Sequence, residues 1–595
     1  MQHWIARCAE TPLDAVQTRV VPEPMNRRFR DIMDRWLLPL CILLSVGWLI
    51  VGVAFPVLQL LIRSLYTDAG HFVGLGNYIR YFQTPSLSVS IINSIRVSVL
   101  TTVISVFLGF GFAYMLTRTR IPGKNLFMAI VMVPLYAPTL LNGIALTYLL
   151  GRKGLITQVV HTYWGVQPPL YGAFGIVASE VIYTFPQAVL ILYIALNLSD
   201  ARLYEAAKSL GARPMRLFFT ITLPSVRYGL FSALCVCFIL AFTDFGAPKV
   251  VGGSYNVIAT DIYKQVVGQQ NFSMGAVLSM LLLGPSVLMF SIDRMLKRKH
   301  ASMVTSRFVA YEPSHNRLRD GCLLIYGAGI CALILGFYAT ALYASLVRVW
   351  PYDVSLGLWH YRFTGTSGSY AAFFNSLRMS AWSALIGTTL TFIGAYLIEK
   401  TRPFPYIRRL GYFCSIVPMA LPGLVIGLSY IFFFNTPGWR IGGFFDLPNP
   451  FHTIYGTMAI LVLSNIVHFY SVGFLTATTS LKQLDREFES VSESMGAPFY
   501  QVLFRVTLPM SLPAVFEIMT YYFVSSMATV SAVIFLYSAD IPLASVAIAN
   551  MDDAGDTAKA CALSMLIVIT NIVVRWGHHV LLRGLMRKHA RWNPT

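Results

Sequence analysis

Charge is what this chain has least of. Asp, Glu, Lys and Arg make up 12% of its 595 residues, about half of what a soluble globular domain carries. Polar linkers long enough to separate soluble domains are missing as well. The eight cysteines (Cys8, Cys41, Cys235, Cys237, Cys322, Cys331, Cys414, Cys561) lie mostly inside apolar runs, as small buried apolar residues rather than as a disulfide framework or metal ligands. Cys235-Val236-Cys237 lacks the two-residue spacer of a redox or zinc pair. No Gly-x-x-x-x-Gly-Lys-Ser/Thr occurs, and Gly123-Lys124 lacks both the preceding Gly and the following hydroxyl. The chain therefore has no phosphate-cradling loop for ATP. HExxH, a nucleophile elbow and metal-ligand clusters are absent too, so neither catalytic nor metal residues are expected. The N-terminal segment has no short apolar core followed by small residues and does not read as a cleaved signal peptide.

What is there is apolar sequence. Hydrophobic residues make up 56%, mean hydropathy is +0.62, and the apolar runs approach the ~20 residues that cross a bilayer core. The net charge of +19 gathers in alternate loops, the positive-inside pattern of a polytopic membrane protein. It does not form the basic stripe interleaved with aromatics that would suit nucleic acid. The runs predict an all-α membrane protein of about twelve spans. Six fall near residues 36–61, 89–116, 126–150, 173–196, 228–247 and 274–295; six more near 321–346, 371–398, 410–434, 454–477, 512–537 and 558–582. The expected organisation is a cytoplasmic segment 1–35, a first unit 36–296, a basic cytoplasmic linker 297–319, a second unit 320–582 and a cytoplasmic tail 583–595. Residues 255–262 belong to a longer segment expected outside.

One polar stretch occurs twice. Asp200, then Glu205-Ala206-Ala207-Lys208-Ser209-Leu210-Gly211-Ala212, runs through Phe219 to Thr222-Leu223-Pro224. Asp485, then Ser490-Val491-Ser492-Glu493-Ser494-Met495-Gly496-Ala497, runs through Phe504 to Thr507-Leu508-Pro509. Asp, Gly and Pro recur at one constant spacing of 285 residues. Asn93-Ser94-Ile95-Arg96 returns as Asn375-Ser376-Leu377-Arg378, and Pro134, Pro138 and Gly143 return as Pro418, Pro422 and Gly427. Two homologous halves with the same even number of spans give a parallel repeat, a plan of transporters with a pathway at the repeat interface.

Glu-Ala-Ala, three residues, Gly and a tail ending in Leu-Pro, placed between spans on the basic side, resembles the cytoplasmic "EAA" loop of permease subunits of ABC-type importers. The resemblance extends over nearly all of the chain after about Arg35, as two fused permease units of the type I importer fold. It implies a transport subunit rather than an enzyme, in the bacterial inner membrane with both termini cytoplasmic. Its partners would be a separate ATPase, one copy under each loop and itself holding ATP and Mg, and a periplasmic binding protein. It makes Glu205, Ala206, Ala207, Gly211, Pro224, Ser490, Glu493, Gly496 and Pro509 the coupling residues. The residue types suit that work. Ala206 and Ala207 form helix with little bulk, and Gly211 can end it in a left-handed turn. Glu205 is expected in the first helical turn, and Pro224 at a sharp re-entry into the next span. The second copy departs from the pattern, with Ser490-Val491-Ser492 in place of Glu-Ala-Ala.

Ionisable residues inside spans are costly and point to function. Glu180, Asp244, His468 and Glu517 are the candidate pathway residues, and Arg575 is a further charge in the last span. Thr529 holds the place of Asp244 in the second half. Asp244 reads equally as a helix-end carboxylate paired with Lys249, and His468 as a hydrogen-bonded core residue; Arg96 and Arg378 read as snorkelling side chains near the outer surface. The stretch Phe245–Gly253, with Ala259–Tyr263 and Gly268–Gly275, resembles the branch assigned to 2-aminoethylphosphonate. Ferric iron or a polyamine as cargo, or an ion-coupled secondary carrier, are the other readings.

Overall fold

The computed structural model describes residues 27–301, 311, 313, 316–363, 370–401, 403–441, 445–485, 487, 491, 494 and 497–590. Among them nine helices are long and apolar enough to cross a membrane, and twelve if each of three bent pairs counts as one span. In the first half these are α1 (Trp36–Ser64), α2 (Pro85–Arg118), α3 (Lys124–Tyr136 with Thr139–Trp164), α4 (Ala173–Asn197), α5 (Pro214–Thr243) and α6 (Phe272–Lys297). The second half has α7 (Arg317–Leu346), α8 (Tyr370–Glu399), α9 (Pro405–Ala420 with Gly423–Phe434), α10 (Met458–Gln483), α11 (Phe499–Met510 with Leu512–Ala528) and α12 (Thr557–Gly584). The chain is an all-α polytopic membrane protein of two homologous units. Its only strands among the described residues are two hairpins, Val347–Val349 with Asp353–Leu356 and Gly438–Ile441 with Phe445–Pro448.

The third and ninth spans are not the straight helices the apolar runs predict. Their limbs meet at 103° and 114°. The cause is the repeated proline pair. A residue before Pro is pushed out of the helical region, and Ala137 (φ −102, ψ 143) and Leu421 (φ −90, ψ 116) are extended before Pro138 and Pro422. The carbonyl freed at the α3 break does not go unpaired in the bilayer: Asn571 of α12 donates to Tyr136 O at 2.9 Å.

Segment 255–262 is not an open loop: its helix Ile258–Tyr263 packs against α2 and α6 and has its first five residues buried. Helix Ala544–Asp553 takes the matching place in the second half. The repeated Asn-Ser pair explains both. Asn93 Nδ2 donates to Asn256 O at 3.0 Å, and Ser94 Oγ accepts from Ile258 N–H at 2.9 Å. Asn375 Nδ2 donates to Pro542 O at 3.2 Å, and Ser376 Oγ accepts from Ala544 N–H at 2.8 Å. Each serine thus caps, from a distant helix, the first free N–H of a short helix.

The two halves exchange their first helices. α1 packs into the core of the second half, where Tyr430 donates to Gly52 O at 2.8 Å and the Trp48 and Tyr470 rings meet edge-on at 5.3 Å. α7 packs into the first half, with Tyr338 donating to Asn142 Oδ1 at 2.9 Å and Tyr326 to Leu108 O at 2.7 Å. The end of α2 meets the segment after α4, where Arg118 donates to Tyr204 Oη at 3.3 Å, and the end of α8 meets the start of α11, where Tyr396 donates to Phe499 O at 3.1 Å; this end is here termed the basic end. The opposite, far end carries a link between halves, Lys249 to Asp553 at 2.9 Å.

Candidate functional site

At the basic end the first repeated loop forms the helix Ala201–Ser209. Asp200 caps it, its carboxylate accepting from Arg202 N–H at 3.1 Å. Gly211 closes it with φ +72: Ala212 N–H reaches Ala207 O at 3.0 Å and Gly211 N–H reaches Lys208 O at 2.9 Å, the paired bonds of a Schellman turn. Two expectations change here. Glu205 sits one turn into the helix on its exposed face, and the N-terminal charge belongs to Asp200. Pro224 makes no sharp re-entry, because α5 runs unbroken through it. A π-helical turn, Phe218–Thr222, with Leu223 N–H bonded to Phe218 O, takes up the proline. Leu503–Thr507 forms the same turn before Pro509, and there the chain does bend, by 80°, at Ser511.

One face of the loop helix is rooted in the bundle. Ala201 and Tyr204 are buried, and Tyr204 donates to Thr222 Oγ1 at 3.1 Å. Arg118, buried at the end of α2, donates to Leu196 O at 3.0 Å and to Tyr204 Oη at 3.3 Å. Tyr311 of the linker covers the Arg118 guanidinium at 4.2 Å. The opposite surface is open: Ala206 is exposed and Ala207 half-buried, and Leu203, Leu210, Met215 and Phe219 stand out, Leu210 at 88% exposure. Exposed apolar groups rimmed by charge mark a protein-binding surface. Ser490, Glu493 and Gly496 lie outside the described residues.

Where α5 ends, the structure brings some of the candidate pathway residues together. Glu180 of α4 is wholly buried, and among the described residues no donor reaches either of its oxygens. Beside it is the carboxyl group of Asp244, which accepts from Ala247 N–H at 2.9 Å and has Thr139 as a further neighbour. Asp244 is not paired with Lys249, whose partner is Asp553. Tyr183, one turn beyond Glu180, lies within electrostatic reach of both acids and of Tyr521 of α11.

The repeat orders the cluster further. Asp244 (φ −67, ψ 139) and Thr529 (φ −72, ψ 140) end α5 and α11 in one conformation. Asn465 holds the place of Glu180, and His468 that of Tyr183, at the same spacing of 285. Asn465 is wholly buried, and among the described residues neither of its side-chain polar atoms has a partner. His468 is not the hydrogen-bonded core residue considered above: among the described residues its Nδ1 has no partner, and its ring lies 4.6 Å from Phe469. Phe469 in turn meets the Tyr521 ring at 5.8 Å. Tyr183, Tyr521 and Asn465 were missed from sequence, although the repeat spacing applied to Glu180 and His468 leads to two of them. Glu517 does not join the cluster. Arg575 donates to it at 2.8 Å and His578 stands 3.6 Å away, so these two intramembrane charges neutralise each other.

Two matched halves, each with a π-helical turn before its Leu-Pro and a short helix folded back at the far end, define a transporter subunit of permease type. The chain belongs to the family of binding-protein-dependent transport system inner membrane components, whose model matches residues 105–301 and 385–587. It is 28% identical over 477 residues to the ferric transport system permease protein of Actinobacillus pleuropneumoniae, spanning 78% of this chain and 67% of that one. A putative ferric transport system permease of Haemophilus influenzae is 30% identical over 524 residues, 84% of this chain and 78% of that one. The spermidine/putrescine permease PotB of the same organism is 26% identical over 269 residues, 42% of this chain but 93% of that protein. The chain is thus two permeases fused, the multi-pass inner-membrane component of an ABC importer. Its partners are a binding protein and a separate ATPase.

Proposed function

We propose that the chain carries a small solute with a positively charged centre inward by alternating access, and that 2-aminoethylphosphonate is the cargo. The basic end faces the cytoplasm and so do both termini, as the clustering of Lys and Arg in its loops favours. The loops at Glu205–Gly211 and Ser490–Gly496 each rest on one copy of the ATPase, and ATP and Mg are held there rather than in this chain. Closure of the ATPase pair moves the loop helices, and the bundle opens outward to a loaded binding protein.

The observation that carries the cargo class is the Glu180–Asp244 pair beside Tyr183 and Tyr521. Carboxyl and phenol oxygens that meet no base among the described residues suit a passing ammonium group. The aminoethyl end of the phosphonate meets that requirement. The resemblance of Phe245–Gly253, Ala259–Tyr263 and Gly268–Gly275 to the aminoethylphosphonate branch supports it among amines. A second reading, ferric iron, is favoured by the names of the two relatives that match over most of their length. The same oxygens would serve it as a passing station: among the described residues no three His, Cys, Asp or Glu side chains come together.

The test is uptake into proteoliposomes holding the chain with its ATPase and binding protein. Labelled 2-aminoethylphosphonate should enter on ATP addition, and Asp244→Asn should lower the rate at least tenfold while the complex still assembles. Uptake of ferric iron alone would transfer the assignment to the second reading. Transport along an ion gradient without nucleotide would refute both.

A further inference from the structure

We propose that an acidic phospholipid seats its head-group phosphate in a cavity at the basic end, where α6 of the first half meets α8 and α9 of the second. The cavity measures about 440 Å3 and is lined by Arg294, Glu399, Arg408, Arg409, Tyr412 and Phe413, among others. Three guanidinium groups share it with one carboxylate, and that carboxylate is already taken. Glu399 faces Lys482 at 3.6 Å. Arg408 is occupied as well, its Nε and a terminal nitrogen donating to Ile398 O at 2.8 and 2.6 Å.

Arg294 and Arg409 are different. Among the described residues neither has a carboxylate partner. Arg294 lies over the Tyr412 ring at 5.4 Å and Arg409 over Tyr406 at 5.8 Å. Two planar donors held by aromatic faces, with their N–H edges left over, form a fork for phosphate oxygens. The surroundings select a lipid rather than a free anion. Tyr406, Leu410 and Phe413 project from the same face of α9 with large exposed surfaces, Phe413 at 65%. On a spanning helix that is surface for acyl chains, and basic pockets between helices at such an end bind acidic head groups. A phosphate there would neutralise two charges and tie Arg294 of the first half to Arg409 of the second.

The experiment is thermal unfolding of the full chain in detergent, with added phosphatidylglycerol, phosphatidylcholine or inorganic phosphate. Phosphatidylglycerol should raise the midpoint saturably, and the other two should not. Combining Arg294→Gln with Arg409→Gln should raise the half-saturating lipid concentration at least tenfold, and Arg409→Lys alone should change it much less. Should the double variant not fold, native mass spectrometry of the wild-type chain after exchange into phosphatidylcholine must still show bound phosphatidylglycerol. Equal effects of both lipids, an equal effect of inorganic phosphate, an unchanged response in a folded double variant, or no retained lipid would each overturn the proposal.

Discussion

The hydroxyl group of Tyr204 stands between the Arg118 guanidinium, 3.3 Å away, and Thr222 Oγ1, 3.1 Å away. These three residues sit on the end of α2, the loop helix and the start of α5. The loop helix is therefore not a free surface feature. Its buried face is bonded into two spans, one of which ends at Asp244, so side-chain hydrogen bonds and not loop backbone alone join it to the bundle.

Removing that hydroxyl should uncouple the machine without dismantling it. Tyr204→Phe keeps the ring and leaves the Thr222 hydroxyl and Arg118 each one partner short, a local cost of about 1–2 kcal/mol. The assembled complex should keep its basal ATPase rate while stimulation by the loaded binding protein falls about five- to tenfold. Stimulation equal to wild type would show that force takes another route.

Gly211 is required for its backbone alone. A Cβ placed there would meet nothing within 4 Å, but φ is +72. Gly211→Ala should therefore cost about 1 kcal/mol of left-handed strain and weaken binding of the ATPase about fivefold. Gly211→Asn should cost less, because Asn tolerates that region better. Surface-binding measurements on the three proteins would check the order, and equal affinities would mean that the turn changes on binding.

Part of this was legible from sequence, and the reason differs residue by residue. Gly211 announced its turn because only backbone conformation is at issue, and the repeat spacing marked Asn93-Ser94 as a pair. Its use stayed hidden, since the bonded partners Asn256 and Ile258 lie more than 160 residues away and offer only backbone atoms. Glu517 and Arg575 were each visible as intramembrane charges, but spacing says nothing about pairing across 58 residues. The apolar runs concealed the breaks at Pro138 and Pro422, because hydropathy is blind to direction. They equally concealed the exchange of α1 and α7, because an apolar face does not specify which apolar face it meets.

The far-end link should respond to pH. Burial, with Asp553 alongside and Lys249 opposing, pushes the Asp552 carboxyl up from 3.8 to about 6. A carboxyl raised on folding binds its proton more tightly in the folded state. Its stabilising contribution is then complete below about pH 4 and is lost as pH rises through 6. Asp552→Asn removes the ionised form. It should melt a few degrees above wild type near pH 8 and level with it near pH 4, as read by thermal unfolding in detergent. A variant with the same offset at both values would place the effect outside this titration.

The matched serines invite the sharpest comparison of the two halves. Ser94 and Ser376 cap Ile258 and Ala544 with nearly equal geometry, 2.9 and 2.8 Å, so Ala at either site strands one buried N–H at a cost of about 1–3 kcal/mol. The consequences should nevertheless differ. The helix after Ser94's partner begins soon after Asp244 and Lys249, which hold the polar cluster and the link to Asp553; the helix after Ser376's partner follows the neutral Thr529. Both variants should therefore lose similar stability, while Ser94→Ala should reduce uptake several-fold more than Ser376→Ala. Thermal unfolding and proteoliposome uptake on the same preparations separate the two effects. Equal losses of uptake would show that the halves contribute alike despite their different charges.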